Sequence, residues 1–216
     1  METDYIQATI EKLSASPYLT RKNLELVIGS NRRTLDYRIR SMLNRNILIK
    51  LKQGFYVSKK YLEKETDTES YLEYIGCILK EPSYVSLGYA LAKYNLIPES
   101  IFDITYVTTK KTDTYITPLK SFIYKSISEK LFIGFQAINY KEKKVYFAYP
   151  YKAIFDLFYY ADFPNEESIK RYITSSRINW ENIDKLNRIE LKNLLESSNI
   201  NKMSLLLQIL NKEKIL

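Results

Sequence analysis

The first sixty residues change their hydrophobic periodicity once, and this change limits the folds that the chain can adopt. Up to Asn46 the apolar residues recur at helical spacing, whereas from Leu48 onward they alternate with lysines as far as Gln53-Gly54. Helical spacing predicts helices, and alternation that ends at a glycine-containing turn predicts a β-hairpin. Three helices followed by a hairpin is the order of a winged helix-turn-helix.

Each of the three predicted helices has a recognisable boundary. The first covers Asp4 to Ser14, where apolar residues fall near helical spacing. The second starts after Thr20, a predicted N-cap, and ends at Gly29, whose tolerance of positive φ suits a tight turn. Ser30 or Asn31 is expected to cap the third helix.

The third predicted helix has two opposite faces. Its buried face is indicated by Leu35 and by the apolar residues four, seven and eight positions after it, namely Ile39, Met42 and Leu43. A rotation of 100° per residue then puts polar residues in one line on the other side, namely Arg33, Tyr37, Arg40 and Asn44. These residue types can donate to phosphate oxygens or to base edges.

Positive charge is concentrated in the same part of the chain. Met1–Leu62 contains twelve Lys/Arg and five Asp/Glu, a net charge of +7, whereas the remaining residues carry +1. A basic patch confined to one domain is typical of proteins that bind the phosphates of nucleic acid. Lysine-rich surfaces are often only solvated, so charge alone leaves both interpretations open.

The sequence therefore predicts contacts with double-stranded DNA from the third helix and from the hairpin. The helix residues expected to touch bases or phosphates are Ser30, Asn31, Arg32, Arg33, Thr34, Tyr37, Arg40 and Asn44. The lysines expected to hold the DNA backbone through the wing are Lys50, Lys52, Lys59 and Lys60. An ordinary solvated helix face, or a winged helix that contacts only protein, is the alternative.

A polar segment from Lys59 to Glu69 predicts a linker, and hence two domains over residues 1–62 and 69–216. In the second domain, Thr68 to Lys80 is predicted to be helical, and Ser83 is expected to cap a further helix. Five segments rich in β-branched and aromatic residues then predict a small, mostly antiparallel sheet, namely Phe102–Thr109, Thr114–Thr117, Ser121–Ile127, Leu131–Asn139 and Lys144–Ala148.

Helices close the chain after this sheet. An apolar helix opens at Pro150, and a helical tail begins at about residue 165, with helices over Glu166–Thr174, Trp180–Ser197 and Lys202–Lys212. The predicted fold class is α+β: a winged helix-turn-helix followed by an α+β domain with a helical C-terminus.

Composition excludes several kinds of chemistry. The chain has no histidine, which removes the commonest general base and the usual zinc ligand. No glycine-rich phosphate loop is present, and Cys77 is predicted to be a buried small side chain. We therefore predict no cofactor and no metal, although four carboxylates are candidates without a recognisable ligand spacing, namely Asp103, Asp113, Asp156 and Asp162.

Five polar residues of the second domain are embedded in apolar stretches. Tyr84, Ser86 and Tyr89 are predicted to share one helix, with the tyrosine hydroxyls at its rim. Lys152 and Asp156 are four residues apart, which is typical of a modest surface ion pair. A direct functional role for these residues is the less favoured interpretation.

The sequence predicts a cytoplasmic protein that does not enter a membrane. No apolar run approaches the roughly 20 residues needed to span a bilayer. The N-terminal segment METDYIQATIEK is acidic and polar, unlike a secretory signal peptide.

Four segments, taken in order along the chain, resemble a known family. They are LIKLKQGFYV (Leu48–Val57), PSYVSLGYALAKYNLIPE (Pro82–Glu99), ITYVTTKK (Ile104–Lys111) and AYPYKAIFDLFYY (Ala148–Tyr160). Through them, the chain resembles the AbiEi family over most of residues 20–160. Members of that family are antitoxins of type IV toxin-antitoxin systems, described as a winged helix joined to a C-terminal domain. The helices beyond Asn165 match no family motif.

This resemblance implies a function and partners. The chain would repress its own operon by binding inverted repeats in the operator, as a monomer in solution or a weak dimer on DNA. It would also counter a nucleotidyltransferase toxin in phage defence, with or without stable contact between the two proteins. No enzymatic activity is expected of the chain.

Other functions stay open at this level. The chain could be a generic winged-helix transcription regulator, or an adaptor whose winged helix never meets DNA. It could also be a nucleic-acid-processing enzyme that uses carboxylates of the second domain. The lack of histidine and of any paired-carboxylate motif argues against the enzyme.

Overall fold

A computed structural model of the chain describes residues 2–29 and 31–216. These residues form ten α-helices and two β-sheets, one of three strands and one of six, so the chain is α+β as predicted. Across the described ranges, no helix combines the length and the apolar character needed to cross a membrane. The chain divides into two compact units: one runs to Ile75 and includes Tyr115–Ser121, and the other contains Gly76–Thr114 and Phe122–Leu216.

The first unit contains three helices, a small sheet that includes a β-hairpin, and a short fourth helix. Its elements are α1 (Glu2–Leu13), β1 (Leu19–Thr20), α2 (Arg21–Ile28), α3 (Arg32–Asn44), β2 (Leu48–Lys52), β3 (Phe55–Ser58) and α4 (Lys59–Lys64). β3 pairs antiparallel with both β1 and β2, which gives the strand order β1-β3-β2. The three predicted helices and the hairpin are confirmed. The two-residue strand β1 was not predicted, because two residues carry no periodicity.

Local capping interactions fix the ends of α2 and α3. The Thr20 hydroxyl accepts a hydrogen bond from the Asn23 amide at 3.2 Å, and the Asn23 side chain accepts one from the Thr20 amide at 2.9 Å. Gly29 ends α2 with φ +55°, a left-handed conformation that suits glycine. Asn31 caps α3, as predicted, whereas Ser30 lies outside the described residues.

The apolar stripe of α3 faces the core of the first unit, as predicted. Leu35 and Ile39 are buried, and Met42 and Leu43 pack at the edge of the same cluster. The buried residues that surround this stripe come from the other elements of the unit, namely Leu13, Leu19, Leu24, Ile28, Leu48 and Tyr56. The three predicted helices and the sheet of the first unit therefore all contribute residues to one core.

The predicted linker is partly helical. α4 occupies the first part of the segment, and α5 (Thr68–Leu79) begins at its end and continues into the second unit. Glu65 between them is buried. The segment predicted to be a linker thus contains a short helix, which its polar composition did not reveal because such a composition does not distinguish a short helix from a loop.

After α5 come one strand, one helix, five strands and four helices. They are β4 (Ser83–Val85), α6 (Leu87–Lys93), β5 (Ile104–Thr108), β6 (Asp113–Ile116), β7 (Ser121–Ser126), β8 (Phe135–Tyr140), β9 (Lys143–Ala148), α7 (Pro150–Tyr160), α8 (Glu166–Ser175), α9 (Lys185–Ser197) and α10 (Asn201–Lys212). Short 3-10 turns lie at Glu129–Leu131 and Trp180–Asn182.

The six strands are ordered β6-β7-β5-β4-β9-β8. β4 pairs antiparallel with β5, and β8 with β9. β4 pairs parallel with β9, and β5 pairs parallel with β7. The sheet is thus more mixed than the mostly antiparallel arrangement predicted, because strands distant in sequence become neighbours.

Two further predictions in this region are corrected by the structure. Ser83 does not cap a helix: it begins β4, and Tyr84 lies in that strand. Ser86 instead precedes α6, which carries Tyr89. Leu131 belongs to a 3-10 turn, and the strand predicted to start there begins at Phe135.

Helix α7 lies at the centre of the helical packing in the second unit. It contacts α6 and α9, and α9 in turn contacts α10. Its residues Ala153, Ile154, Phe155 and Phe158 have no exposed surface. Pro150 opens the helix at a position where its missing amide hydrogen costs nothing.

Two helical glycines of the second unit should respond oppositely to alanine. A Cβ at Gly76 would overlap the hydroxyl end of Tyr106, which is fully buried, whereas a Cβ at Gly88 would meet Ile101 at ordinary contact distance, 3.7 Å. We expect Gly76→Ala to lower the free energy of unfolding by about 1–3 kcal/mol. Gly88→Ala should leave it unchanged or raise it by up to about 1 kcal/mol.

The measurement is denaturant unfolding followed by the fluorescence of Trp180, the single tryptophan, which lies in this unit. Gly88→Ala serves as the matched control for adding one methyl group to a helix. Equal unfolding midpoints for the two variants would contradict the packing described for Tyr106.

Candidate functional site

The exposed side of α3 carries a row of polar and basic side chains. We call this the α3 row; its four members are exposed and follow each other at spacings of four, three and four residues, namely Arg33, Tyr37, Arg40 and Asn44. Residues at such spacings share one face of a helix. None of the four forms an ion pair, hydrogen bond or ring contact with a side chain that the structure describes.

At the start of α3, one of the residues predicted to contact DNA is used to cap the helix. The Asn31 Oδ1 accepts a hydrogen bond from the Thr34 amide at 3.0 Å, so this oxygen is occupied even though the residue is exposed. Thr34 is half-buried, whereas Arg32 is exposed beside the α3 row. Five of the eight helix residues predicted to contact DNA are thus exposed and have no hydrogen-bond or ion-pair partner among the described side chains. They are the α3 row and Arg32.

The acidic residue of α3 is neutralised by α2. The guanidinium of Arg21 donates to the Asp36 carboxylate at 2.5 Å. This hydrogen bond, with the charges of Arg21, Arg32 and Arg40 nearby, lowers the pKa of Asp36 below its usual value. The carboxylate is therefore ionised at neutral pH, and Arg21, its hydrogen-bonded partner, lies outside the α3 row.

A second arginine of α3 supports the scaffold. Arg38 Nη1 donates to the Ile28 carbonyl at the end of α2, at 3.1 Å. This bond satisfies one of the carbonyls that a helix leaves unpaired at its C-terminus. Sequence reasoning missed both this contact and Arg21–Asp36. The only available signal was that Arg38 lies three residues after Leu35, at the flank of the buried stripe.

The hairpin presents one exposed lysine and one that rests on aromatic rings. The chain turns at Gly54, with φ +75°, as the turn prediction required. Lys50 is exposed on β2. The Lys52 ammonium lies 5.2 Å from the ring centres of both Phe55 and Tyr115, and is half-buried. Tyr115 could not have been linked to the hairpin from sequence, because it lies more than fifty residues after the end of the hairpin.

The two other lysines predicted for the wing lie outside the hairpin. Lys59 and Lys60 are the first residues of α4. Lys60 forms an ion pair with Glu11, and the Lys59 ammonium lies 4.0 Å from the Glu63 carboxylate. The hairpin itself therefore contributes Lys50 and Lys52.

A second cluster of polar side chains lies in the interior of the other unit. Lys152 and Asp156 both have no exposed surface, and the Lys152 ammonium lies 2.7 Å from Asp156 Oδ1. The hydroxyls of Ser86 and Tyr84 donate to Asp156 Oδ2 at 2.7 and 3.0 Å. The prediction of a surface ion pair is therefore wrong. The apolar residues on α7 around the pair, such as Phe155, indicate this burial better than the spacing of four residues, on which the prediction was based.

Burial and pairing have opposite effects on these groups. Burial raises the pKa of Asp156, while Lys152, Ser86 and Tyr84 stabilise its ionised form. Burial lowers the pKa of Lys152, and the Asp156 charge counters this. The Lys152 ammonium also lies 4.7 Å from the Phe155 ring centre. Each charge depends on the other, which is typical of a structural pair.

The four candidate carboxylates do not converge. Asp113 pairs with Lys80 at 2.8 Å, and Asp156 belongs to the buried cluster. Within the described part of the chain, no three side chains of the His, Cys, Asp or Glu type form a group that could hold a metal ion. Cys77 is buried, as predicted.

Comparison with known proteins gives no matching protein-family model and no matching curated sequence. The resemblance of four segments to the AbiEi family therefore stays a prediction. The functional proposals below depend on the geometry of the α3 row and, for the antitoxin, on that resemblance.

Removing one member of the buried pair should destabilise the second unit strongly. Lys152→Met leaves the Asp156 carboxylate buried without its cation, and we expect the free energy of unfolding to fall by about 3–5 kcal/mol. The double variant Lys152→Met/Asp156→Asn removes both charges and keeps an acceptor for Ser86 and Tyr84. It should lose less stability than Lys152→Met alone, as measured by Trp180 fluorescence in denaturant. A double variant less stable than the single one would contradict mutual compensation.

Proposed function

We propose that this chain binds duplex DNA through a winged helix formed by residues 1–62, with α3 as its recognition helix. The observation that carries the proposal is the α3 row, together with Arg32 beside it. Solvent-exposed helix faces usually mix charges of both signs. Here the side chains of the α3 row and of Arg32 are cationic or neutral, and the acid of the same helix, Asp36, whose side chain is 46% exposed, is paired with Arg21.

The residues divide into two roles. Residues in the N-terminal half of a recognition helix meet base edges, which assigns base contacts to Arg32, Arg33 and Tyr37. Arginine can donate two hydrogen bonds to guanine in the major groove. Lys50, exposed on the hairpin, is assigned to a phosphate, and so is Lys52 in the pose set by its aromatic neighbours.

The proposal extends to an antitoxin that represses its own operon. The four segments that resemble the AbiEi family support this extension, and they include the hairpin and α7. On this basis the DNA is an operator with inverted repeats, bound by a weak dimer, and the protein counters a nucleotidyltransferase toxin. DNA binding and antitoxicity are separate claims and need separate tests.

Substitutions of Arg33 and Lys50 should separate base contacts from phosphate contacts. We expect Arg33→Ala to weaken binding to the promoter of the chain's own gene by about 1–3 kcal/mol, with little effect on random duplex. Lys50→Ala should weaken both and lower the slope of log affinity against log salt by about 1. Fluorescence anisotropy titrations between about 50 and 200 mM salt measure these quantities.

Arg171→Ala is the matched control, because Arg171 is likewise an exposed arginine on a helix, lies in the other unit, and pairs only with Glu167 of its own helix among the described residues. It should bind both DNAs as the wild-type chain does. A wild-type chain that binds neither DNA at any salt concentration rejects the proposal. Equal losses for Arg33→Ala on the two DNAs reject the base contact.

The antitoxin claim predicts rescue of growth. Where a nucleotidyltransferase gene lies directly downstream of this one, its induction alone should arrest growth, and co-expression of this chain should restore it. Rescue should persist with Arg33→Ala when both genes are expressed from unrelated promoters, because DNA binding is not needed there. Growth arrest that co-expression leaves unchanged would refute antitoxicity without affecting the DNA-binding claim.

A further inference from the structure

Tyr37 differs in chemistry from the arginines that flank it in the α3 row. Its side chain is 72% exposed, and it lies four residues after Arg33 and three before Arg40. Single exposed aromatic residues are common on protein surfaces and need no explanation alone. What distinguishes Tyr37 is its position, because it places an aromatic ring, with a hydroxyl only at its tip, between two arginines of the row.

The spacing of the row can be compared with that of base pairs. A helix rises 1.5 Å per residue, so Tyr37 lies about 6 Å along the axis from Arg33, and Arg40 about 10.5 Å. Base pairs follow each other at about 3.4 Å. Tyr37 is therefore displaced by about two base pairs from Arg33, and the three side chains span about three to four base pairs.

The chemistry of the major groove then selects the base. The C5 methyl of thymine is the apolar group among the base edges, and an aromatic ring can cover it but cannot supply the two donors that guanine requires. Asparagine would be the side chain for adenine, but Asn31 at the start of α3 has its Oδ1 occupied by the Thr34 amide. Asn44 lies seven residues beyond Tyr37, about 10.5 Å along the axis. At the position of Tyr37, a thymine-adenine pair is thus recognised by its methyl group and not by a bidentate amide.

We infer that Tyr37 determines sequence specificity by covering the C5 methyl of a thymine about two base pairs from the guanine that Arg33 contacts. This inference rests on the proposed DNA-binding function and adds the composition of the half-site: guanine and thymine at a fixed separation. The Tyr37 ring carries the recognition, and its hydroxyl is dispensable.

The test begins with a randomised duplex library, from which the full chain selects its preferred sequence. Each thymine of that sequence is then replaced by deoxyuracil, which lacks only the methyl group. One replacement should weaken binding about fourfold, the effect of leaving one methyl group uncovered. Tyr37→Phe should keep this sensitivity, whereas Tyr37→Ala and Tyr37→Gln should bind the two DNAs equally. Arg33→Ala is the control, since it should weaken binding but remain sensitive to the methyl group.

The outcomes separate this inference from the proposed function. If no sequence is enriched and random duplex does not bind, the proposed function fails. If a sequence is enriched but no thymine is methyl-sensitive, or if both Tyr37→Ala and Tyr37→Gln keep the sensitivity, the inference fails and DNA binding stands. Equal losses of those two variants on selected and random duplex would make Tyr37 a backbone contact and likewise overturn it. Circular dichroism melting confirms that each variant is folded.

Discussion

Burial of the apolar stripe of α3 is the interaction on which the rest of the first unit depends. Leu35 and Ile39 occupy the centre of a cluster to which residues near the other helices and the sheet contribute. Rotating the helix by one residue would expose Leu35 and bury an arginine, and each change costs free energy. The core therefore fixes which side chains of α3 face outward. The residues of the α3 row are exposed because of packing in which they take no part.

The arginines near α3 have different tasks, and the difference lies in their neighbours. Arg21 and Arg38 bind groups of the protein itself: a carboxylate of α3 and a carbonyl of α2. The Arg38 contact joins the two helices near their turn, and the Arg21 contact joins the start of α2 to α3. Arg32, Arg33 and Arg40 have no such partner among the described residues, so their charge is directed to the outside. Because the scaffold uses its own arginines, the exposed ones do not have to hold the helix in position.

Local signals allowed prediction of the three helices and the hairpin of the first unit, and contacts distant in sequence could not be predicted. The caps, the stripe and the turn at Gly54 each depend on a few neighbouring residues. By contrast, the Lys60–Glu11 pair and the Lys52–Tyr115 contact join residues whose proximity only the tertiary fold decides. The parallel pairings of β4 with β9 and of β5 with β7 likewise depend on the tertiary fold. In the second unit, the four-residue spacing of Lys152 and Asp156 occurs on surface helices as well as on buried ones. The spacing therefore could not show that this pair is buried.

The buried pair on α7 has a consequence for how sequences of this fold can diverge. Lys152 and Asp156 are enclosed with Ser86 and Tyr84, and neither charge is tolerated there without its counterpart. A single change at one position is expected to leave a buried charge without its counterpart, whereas a paired change can be accommodated where it removes both charges and keeps an acceptor for the Ser86 and Tyr84 hydroxyls. The two positions are therefore expected to covary among homologues. Such linked variation would reflect the interior of the fold and would carry no information about a binding partner.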